Sequence, residues 1–169
     1  MRITISTGAG HERAGLRPAL AGVALALALA GCSFDLTPSA TDEVKAVSTS
    51  EAAAAASLIS AYRVANGLPA VSVDARLNEA AVFQARAVAQ AGTLSHGAFA
   101  SRMSEFGIRG AAAENLTAGP TTIADAVARW KASPGHNANL LMPEARRIGL
   151  ARADADNRYG RYWALVLGQ

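Results

Sequence analysis

The sequence is poor in the residues that cross-link a small protein. Its 169 residues include one cysteine, and only 5% of them are aromatic. A single cysteine excludes an intramolecular disulfide, even in a compartment that would permit one. A folded domain in this chain must therefore be held together by its hydrophobic core alone, which a domain of about 120 residues can do.

The sequence also lacks a strong excess of charge. The formal net charge is +3, and three of the basic residues (Arg2, Arg13 and Arg17) lie close to the N-terminus. Without that N-terminal region the chain is close to neutral. This excludes the broad basic surface that nucleic acid or an anionic partner would require, so we expect no nucleic-acid partner.

The N-terminal apolar run is too short to span a membrane. It extends from Ala19 to Ala30, twelve residues, whereas a membrane-spanning helix needs about 20. A short apolar run that follows a basic region and ends in small residues is typical of a cleaved export signal. We therefore predict that residues 1–31 are a signal peptide.

The end of this run resembles the bacterial lipobox, in which a cysteine receives a diacylglycerol and becomes the new N-terminus. The residues are Leu29-Ala30-Gly31-Cys32. The alternative is an ordinary secretory signal followed by a chance cysteine. Cys32 is the only cysteine and directly follows the Leu-Ala-Gly triplet, where a lipobox has its cysteine. The sequence therefore favours a lipidated Cys32 that anchors the protein to a membrane. Ser33 resembles an outer-membrane sorting residue, which predicts the periplasmic face of the outer membrane, with the cell surface as the other option.

The rest of the chain divides into a tether and a domain. Residues 32–50 are rich in Ser, Thr, Pro and charged residues, which predicts a flexible tether behind the lipidated cysteine. Residues 51–169 carry periodic apolar patterns and are predicted to form one domain.

Helix signals come first in this domain and strand signals come last. Helices are predicted over 51–66, over 74–91 behind an Asp74 cap, over 99–106, from Thr122 onward and from Ser133-Pro134 onward. Strands are predicted at 113–117, 147–151 and 162–167. This order predicts an α+β fold with helices packed around a small antiparallel sheet.

Two histidines and one carboxylate are the residues of the domain best suited to chemistry. His96 and His136 lie at predicted helix ends, and Glu114 lies in an apolar, strand-like segment. Such a set can hold a divalent cation such as Zn²⁺ or carry out acid–base chemistry. The alternative is that both histidines are structural. Ser133 is better explained as a helix cap than as a nucleophile, and no catalytic residue is assigned.

Four segments, in this order, closely resemble the CAP superfamily of cysteine-rich secretory, antigen 5 and pathogenesis-related 1 proteins. They are GTLSH at 92–96, ENL at 114–116, WKASPGHNANLL at 130–141 and IGL at 148–150. The resemblance covers about residues 55–169, and the Trp–Ser-Pro-Gly-His segment is its most specific part.

The resemblance implies an α–β–α sandwich with a central cleft that, in many members, holds two His and two Glu. His96 matches the first His, Glu114 matches the Glu of the Glu-Asn motif, and His136 matches the second His. Ser133 stands where the second Glu would be, so the resemblance implies an incomplete set and at most a cation site made by His96 and His136. Asn115 and Ser133 are secondary cleft candidates.

Three functions follow from these observations. The resemblance favours a membrane-anchored module that binds an unidentified ligand or protein of the cell envelope, rather than an enzyme. The first alternative is a hydrolase, metal-assisted or His-based, that acts on envelope peptides or peptidoglycan. The second is a structural lipoprotein of the envelope in which the cleft residues only hold the fold together.

Overall fold

The computed structural model describes residues 2–5 and 43–169. The predicted lipidation site Cys32 and most of the predicted leader and tether lie outside these residues. Within the described ranges, no helix is both long and apolar enough to cross a membrane.

Five helices and six strands make up the described part of the chain. The helices are α1 (Ala52–Ala65), α2 (Ala75–Ala91), α3 (Phe99–Glu105), α4 (Ile123–Ala132) and α5 (Pro134–Leu140). The strands are β1 (Arg2–Ile5), β2 (Val44–Ser48), β3 (Ser72–Val73), β4 (Gly110–Ala118), β5 (Arg147–Ala155) and β6 (Arg161–Gly168).

The strands form one mainly antiparallel sheet in the order β1-β4-β6-β5-β2. The short β3 lies off this path and pairs parallel with β5. The long strands β4, β6 and β5 form the centre, with Glu114 opposite Val166 in the β4–β6 register. The predicted α+β fold is confirmed, and the sheet is wider than the three strands that the sequence indicated.

Both faces of the sheet are covered by helices. Alternate residues of β6 point to opposite faces, as expected for a strand. Tyr162, Ala164 and Val166 join the core beneath α2 and α3. Trp163, Leu165 and Leu167 join a second core beneath α1, α4 and α5. The molecule is therefore the three-layered sandwich that the resemblance implied.

Local signals explain where the helices start and stop. Asp74 caps α2 by accepting a hydrogen bond from the Leu77 backbone N–H (3.0 Å), and Gly92 ends the helix with a left-handed φ of 63°. Thr122 caps α4 in the same way, through the Asp125 backbone N–H (3.2 Å). Ser133 is the N-cap residue of α5, as predicted, but its side chain makes no capping hydrogen bond. Pro at the first position still favours helical φ.

Two strands occupy segments where the sequence predicted none. Residues 44–48 of the predicted tether form β2, which pairs with β5. The physical reason is that Val44 and Val47 pack against the α2 side of the core, although the surrounding composition is polar. Arg2–Ile5, inside the predicted leader, form β1 at the other edge of the sheet.

The α2 backbone lies directly against Gly149 of β5. A Cβ built there would lie 1.9 Å from the carbonyl carbon of Leu77 in the α2 backbone.

We expect Gly149→Ala to destabilise the fold by about 3 kcal/mol or more, because the backbone of α2 must move. Gly135→Ala is the matched control, since nothing lies within 4 Å of its Cβ position and it should change stability by about 1 kcal/mol at most. Urea unfolding compares the two, and equal effects would contradict this packing.

Candidate functional site

The first histidine is held by the buried carboxylate of Glu114. His96 lies in the loop between α2 and α3, and Glu114 lies in the middle of β4. The Nδ1 atom of His96 is 2.8 Å from Oε1 of Glu114. The Glu114 side chain is 0% exposed, whereas the His96 side chain is 33% exposed. The imidazole therefore connects a buried carboxylate with the surface.

The other oxygen of Glu114 is taken by Arg102, which the sequence reasoning missed. The Nη2 group of Arg102 donates to Oε2 of Glu114, and Nη1 donates to the backbone carbonyl of His96 (3.2 Å). Arg102 is 5% exposed, so this is a buried ion pair. With Glu114 ionised against a guanidinium, Nδ1 of His96 must carry the proton that it donates, so in the neutral ring Nε2 is an acceptor.

A signal for Arg102 exists in the sequence. In α3, Phe99 lies three residues before Arg102 and Met103 lies one residue after it. All three side chains are buried. A charged residue on the apolar face of a short helix indicates a buried partner of opposite charge. Glu114, a carboxylate in an otherwise apolar segment, is the partner that this pattern indicates.

Asparagines fix the second histidine against β4. The Asn115 side chain donates from Nδ2 to the backbone carbonyl of His136 in α5 (3.0 Å). Asn139 donates to Oδ1 of Asn115 (2.9 Å) and to the backbone carbonyl of Glu114 (3.2 Å). Asn115 is fully buried, so its amide positions α5 and His136 relative to Glu114.

Arg63 of α1 also holds the end of α5. Its fully buried guanidinium donates to the backbone carbonyls of Pro69, Leu140, Met142 and Ala145, at 2.8–2.9 Å. Burial lowers the pKa of this guanidinium, yet arginine stays charged at any ordinary pH. A cation surrounded by four carbonyls ties the exits of α1 and α5 together, which keeps His136 in place.

The environment of His136 favours a neutral imidazole. Its pKa lies below the ordinary value of 6.5 because burial disfavours the charged form, and because the nearby His96 imidazole repels a second positive charge. Its Nδ1 atom is buried and makes no hydrogen bond within the described ranges. At neutral pH His136 is therefore a neutral group beside His96.

Ser95 and Ser133, the serines near the two histidines in the sequence, do not form a nucleophile–base pair with them. The Ser95 hydroxyl accepts a hydrogen bond from the Gly97 backbone N–H (3.2 Å). In residues 2–5 and 43–169, the hydrogen bonds of the His96 and His136 side chains include none to a serine hydroxyl. The base–nucleophile contact that serine catalysis requires is thus not made in this conformation.

The donor set does not fit a metal centre with three or four protein ligands. In the part of the chain that the structure describes, no three His, Cys, Asp or Glu side chains are grouped so that they could hold a metal ion. Both oxygens of Glu114 are engaged by His96 and Arg102. Since catalytic zinc usually takes three protein ligands, only a weak site made by the two imidazoles stays a prediction.

A mostly apolar cavity of about 340 Å³ lies between α2 and α3. Phe83, Val88 and Ala98 contribute apolar walls, and Arg102 contributes a polar one. His96 does not line the cavity, although its neighbours Ser95 and Gly97 do. Arg102 thus connects the cavity with the buried end of the histidine site.

Most of the domain matches the model of a known protein family. The model of the cysteine-rich secretory protein family, CAP, matches residues 56–167, which include His96, Glu114 and His136. The chain belongs to the CAP family. No curated protein sequence matches it.

Three solved structures are similar to this CAP domain. An outer surface protein from Borrelia burgdorferi has a TM-score of 0.64 at 20% identity, and the match covers 76% of this chain and 98% of that one. An extracellular protein containing an SCP domain from Bacillus anthracis has a TM-score of 0.59 at 20% identity, with coverage of 69% and 39%. A cysteine-rich secretory protein from Staphylococcus aureus has a TM-score of 0.54 at 14% identity, with coverage of 68% and 37%. The chain spans well under half of the last two proteins, and at these identities the likeness shows the fold alone.

The buried pair in this CAP domain predicts a non-additive response to mutation. Arg102→Met should destabilise the protein by about 3–5 kcal/mol, because it leaves the Glu114 carboxylate buried without its cation. Adding Glu114→Gln removes that charge, so the double variant should lose less stability than the sum of the two single variants. Urea unfolding of the four proteins measures this coupling. Strictly additive losses would contradict the pairing.

Proposed function

We propose that this CAP protein is an exported lipoprotein whose domain binds a ligand of the cell envelope in the cleft between His96 and His136. The observation that carries the proposal is the engagement of both Glu114 oxygens by His96 and Arg102. This arrangement orients the His96 imidazole, and it uses up the carboxylate that a metal ion would need.

The chemistry of the cleft suits a ligand that is rich in hydrogen-bonding groups. Nε2 of His96 can accept a bond from an amide N–H or a hydroxyl. His136, neutral at ordinary pH because its pKa is lowered, can donate one bond and accept another. Envelope peptides and glycans offer such amides and hydroxyls, and the apolar cavity beside Arg102 has room for their less polar parts.

Lipidation at Cys32 would hold this cleft close to a bilayer. The lipobox-like Leu29-Ala30-Gly31-Cys32 supports the anchor, and Ser33 supports the outer membrane. Because β2 begins at Val44, about eleven residues connect it to the lipidated cysteine, and they reach about 40 Å when fully extended. Similar structures include an outer surface protein and an extracellular protein, which is compatible with an envelope role.

One observation favours a second candidate, a His-based hydrolase. A carboxylate behind Nδ1 is the arrangement that orients a histidine as a general base. His96 with Glu114 has this geometry, and Nε2 could activate a water molecule. The third candidate, a structural role alone, would make both half-buried imidazoles dispensable for binding.

Calorimetric titration separates these candidates. The lipoprotein, isolated from membranes in detergent, is titrated with soluble peptidoglycan fragments and, separately, with Zn²⁺. The proposal predicts heat of binding for the fragments that is lost in His96→Gln/His136→Gln and kept in Arg158→Gln. Arg158 is the matched control because it is an exposed residue between β5 and β6. Urea unfolding confirms that the double variant is folded.

The other outcomes assign other functions. Fragment masses that change on incubation with the wild type, but not with His96→Gln, would replace the binding module with a hydrolase. Fragment binding that survives in the double variant, or no binding of either probe, would contradict a ligand site between the histidines. Zn²⁺ binding that is lost in the double variant, without fragment binding, would make the cation the ligand instead.

A further inference from the structure

The outer edge of β4 is covered by a strand that the mature lipoprotein would not contain. β1 pairs antiparallel with β4, with Arg2 opposite Ala113, Ile3 opposite Ala112 and Ile5 opposite Gly110. β1 lies inside the predicted signal peptide, so cleavage before Cys32 would remove it. The inference below rests on that step of the proposed function.

The backbone of β4 is oriented to pair with a strand at this edge. The carbonyl of Ala111 accepts a hydrogen bond from the Gln169 N–H (3.1 Å), so Ala111 directs its polar groups toward the β6 side. Since successive residues of a strand alternate, Gly110 and Ala112 direct their N–H and C=O groups to the outer edge. Removal of β1 leaves those groups without partners, which is the state that sheet proteins avoid at their edges.

The side chains around this edge define what kind of strand fits. Ile3 packs against the core beneath α2 and α3, so its removal exposes part of the apolar core surface. On the other face, Nη2 of Arg2 donates to Oε2 of Glu144 (2.8 Å), and each side chain is about half exposed. The edge therefore has a place for an aliphatic residue and, directly before it, a carboxylate that pairs with a basic residue.

We propose that the β4 edge of the mature lipoprotein accepts an extended peptide segment from a partner polypeptide, in which a basic residue is followed directly by an aliphatic one. The segment adds a strand to the sheet in the place of β1. Backbone hydrogen bonds to Gly110 and Ala112 supply the affinity. Contacts with Glu144 and with the apolar core surface that Ile3 covers supply the selectivity.

The probe is a fluorescent peptide with the sequence of residues 1–6, MRITIS. Fluorescence anisotropy follows its binding to the lipoprotein isolated from membranes in detergent, and intact mass of the same sample tells whether residues 1–31 have been removed. The peptide with Ile3→Pro should lose binding, because the backbone N–H of Ile3 faces β4. The peptide with Thr4→Pro is the matched control and should keep binding, because the N–H of Thr4 points away from β4.

A charge exchange tests the place of the basic residue without disturbing the fold. Glu144→Lys should weaken MRITIS binding by about two- to fivefold, as expected for a half-exposed ion pair. The peptide with Arg2→Glu should bind this variant better than it binds the wild type. Glu144 lies in a loop and is half exposed, so the variant should fold normally.

Each outcome decides between the proposals. A cleaved chain that binds MRITIS, with the contrast between the two proline peptides and the charge exchange, supports the strand-acceptor edge. A cleaved chain that does not bind the peptide, or binds both proline peptides alike, overturns the edge proposal and leaves the anchor standing. An uncleaved chain overturns the proposed maturation, and the edge proposal with it, because β1 then closes the edge. A dimer of the cleaved chain that excludes the peptide would assign the edge to a second copy and overturn the proposal.

Discussion

The Glu114 carboxylate lies fully buried in the middle of the sheet, where an unpaired charge would cost several kcal/mol. Two neighbouring side chains satisfy this carboxylate. Arg102 supplies the compensating cation from α3, and His96 supplies a hydrogen-bond donor from the loop before α3. The fold must therefore bring α3 and its preceding loop onto β4, and this sets the position of His96. Loss of Arg102 would affect the stability of the fold and the position of His96 together.

The second histidine depends on different contacts. Asn115 follows Glu114 in β4, so its side chain points to the opposite face of the sheet, where it holds the backbone of His136. The two imidazoles are thus positioned by adjacent residues of one strand. The Arg63 cage of carbonyls around the end of α5 adds rigidity on this face. Both histidines are therefore held by contacts to buried polar groups of the fold.

Much of this arrangement could be predicted from the sequence. The Asp74 and Thr122 caps and Gly92 marked the helix ends correctly, because these signals are local. Leu77, Ala81, Ala85 and Val88 recur at helical spacing in α2 and are all buried, as that spacing indicates.

Other features depend on contacts between distant segments and could not be predicted in this way. In α1 the apolar Leu58 is exposed, while the charged Arg63 is buried because four distant carbonyls surround it. Strand β2 forms because β5 offers it an edge.

The tautomer of His96 tests most directly the central claim, that an ionised Glu114 accepts hydrogen bonds from both His96 and Arg102. It can be measured by long-range ¹H–¹⁵N correlation NMR at pH 8. A neutral ring with the proton on Nδ1 is predicted. A proton on Nε2 would mean that Glu114 donates to His96, and would contradict the buried Arg102–Glu114 ion pair.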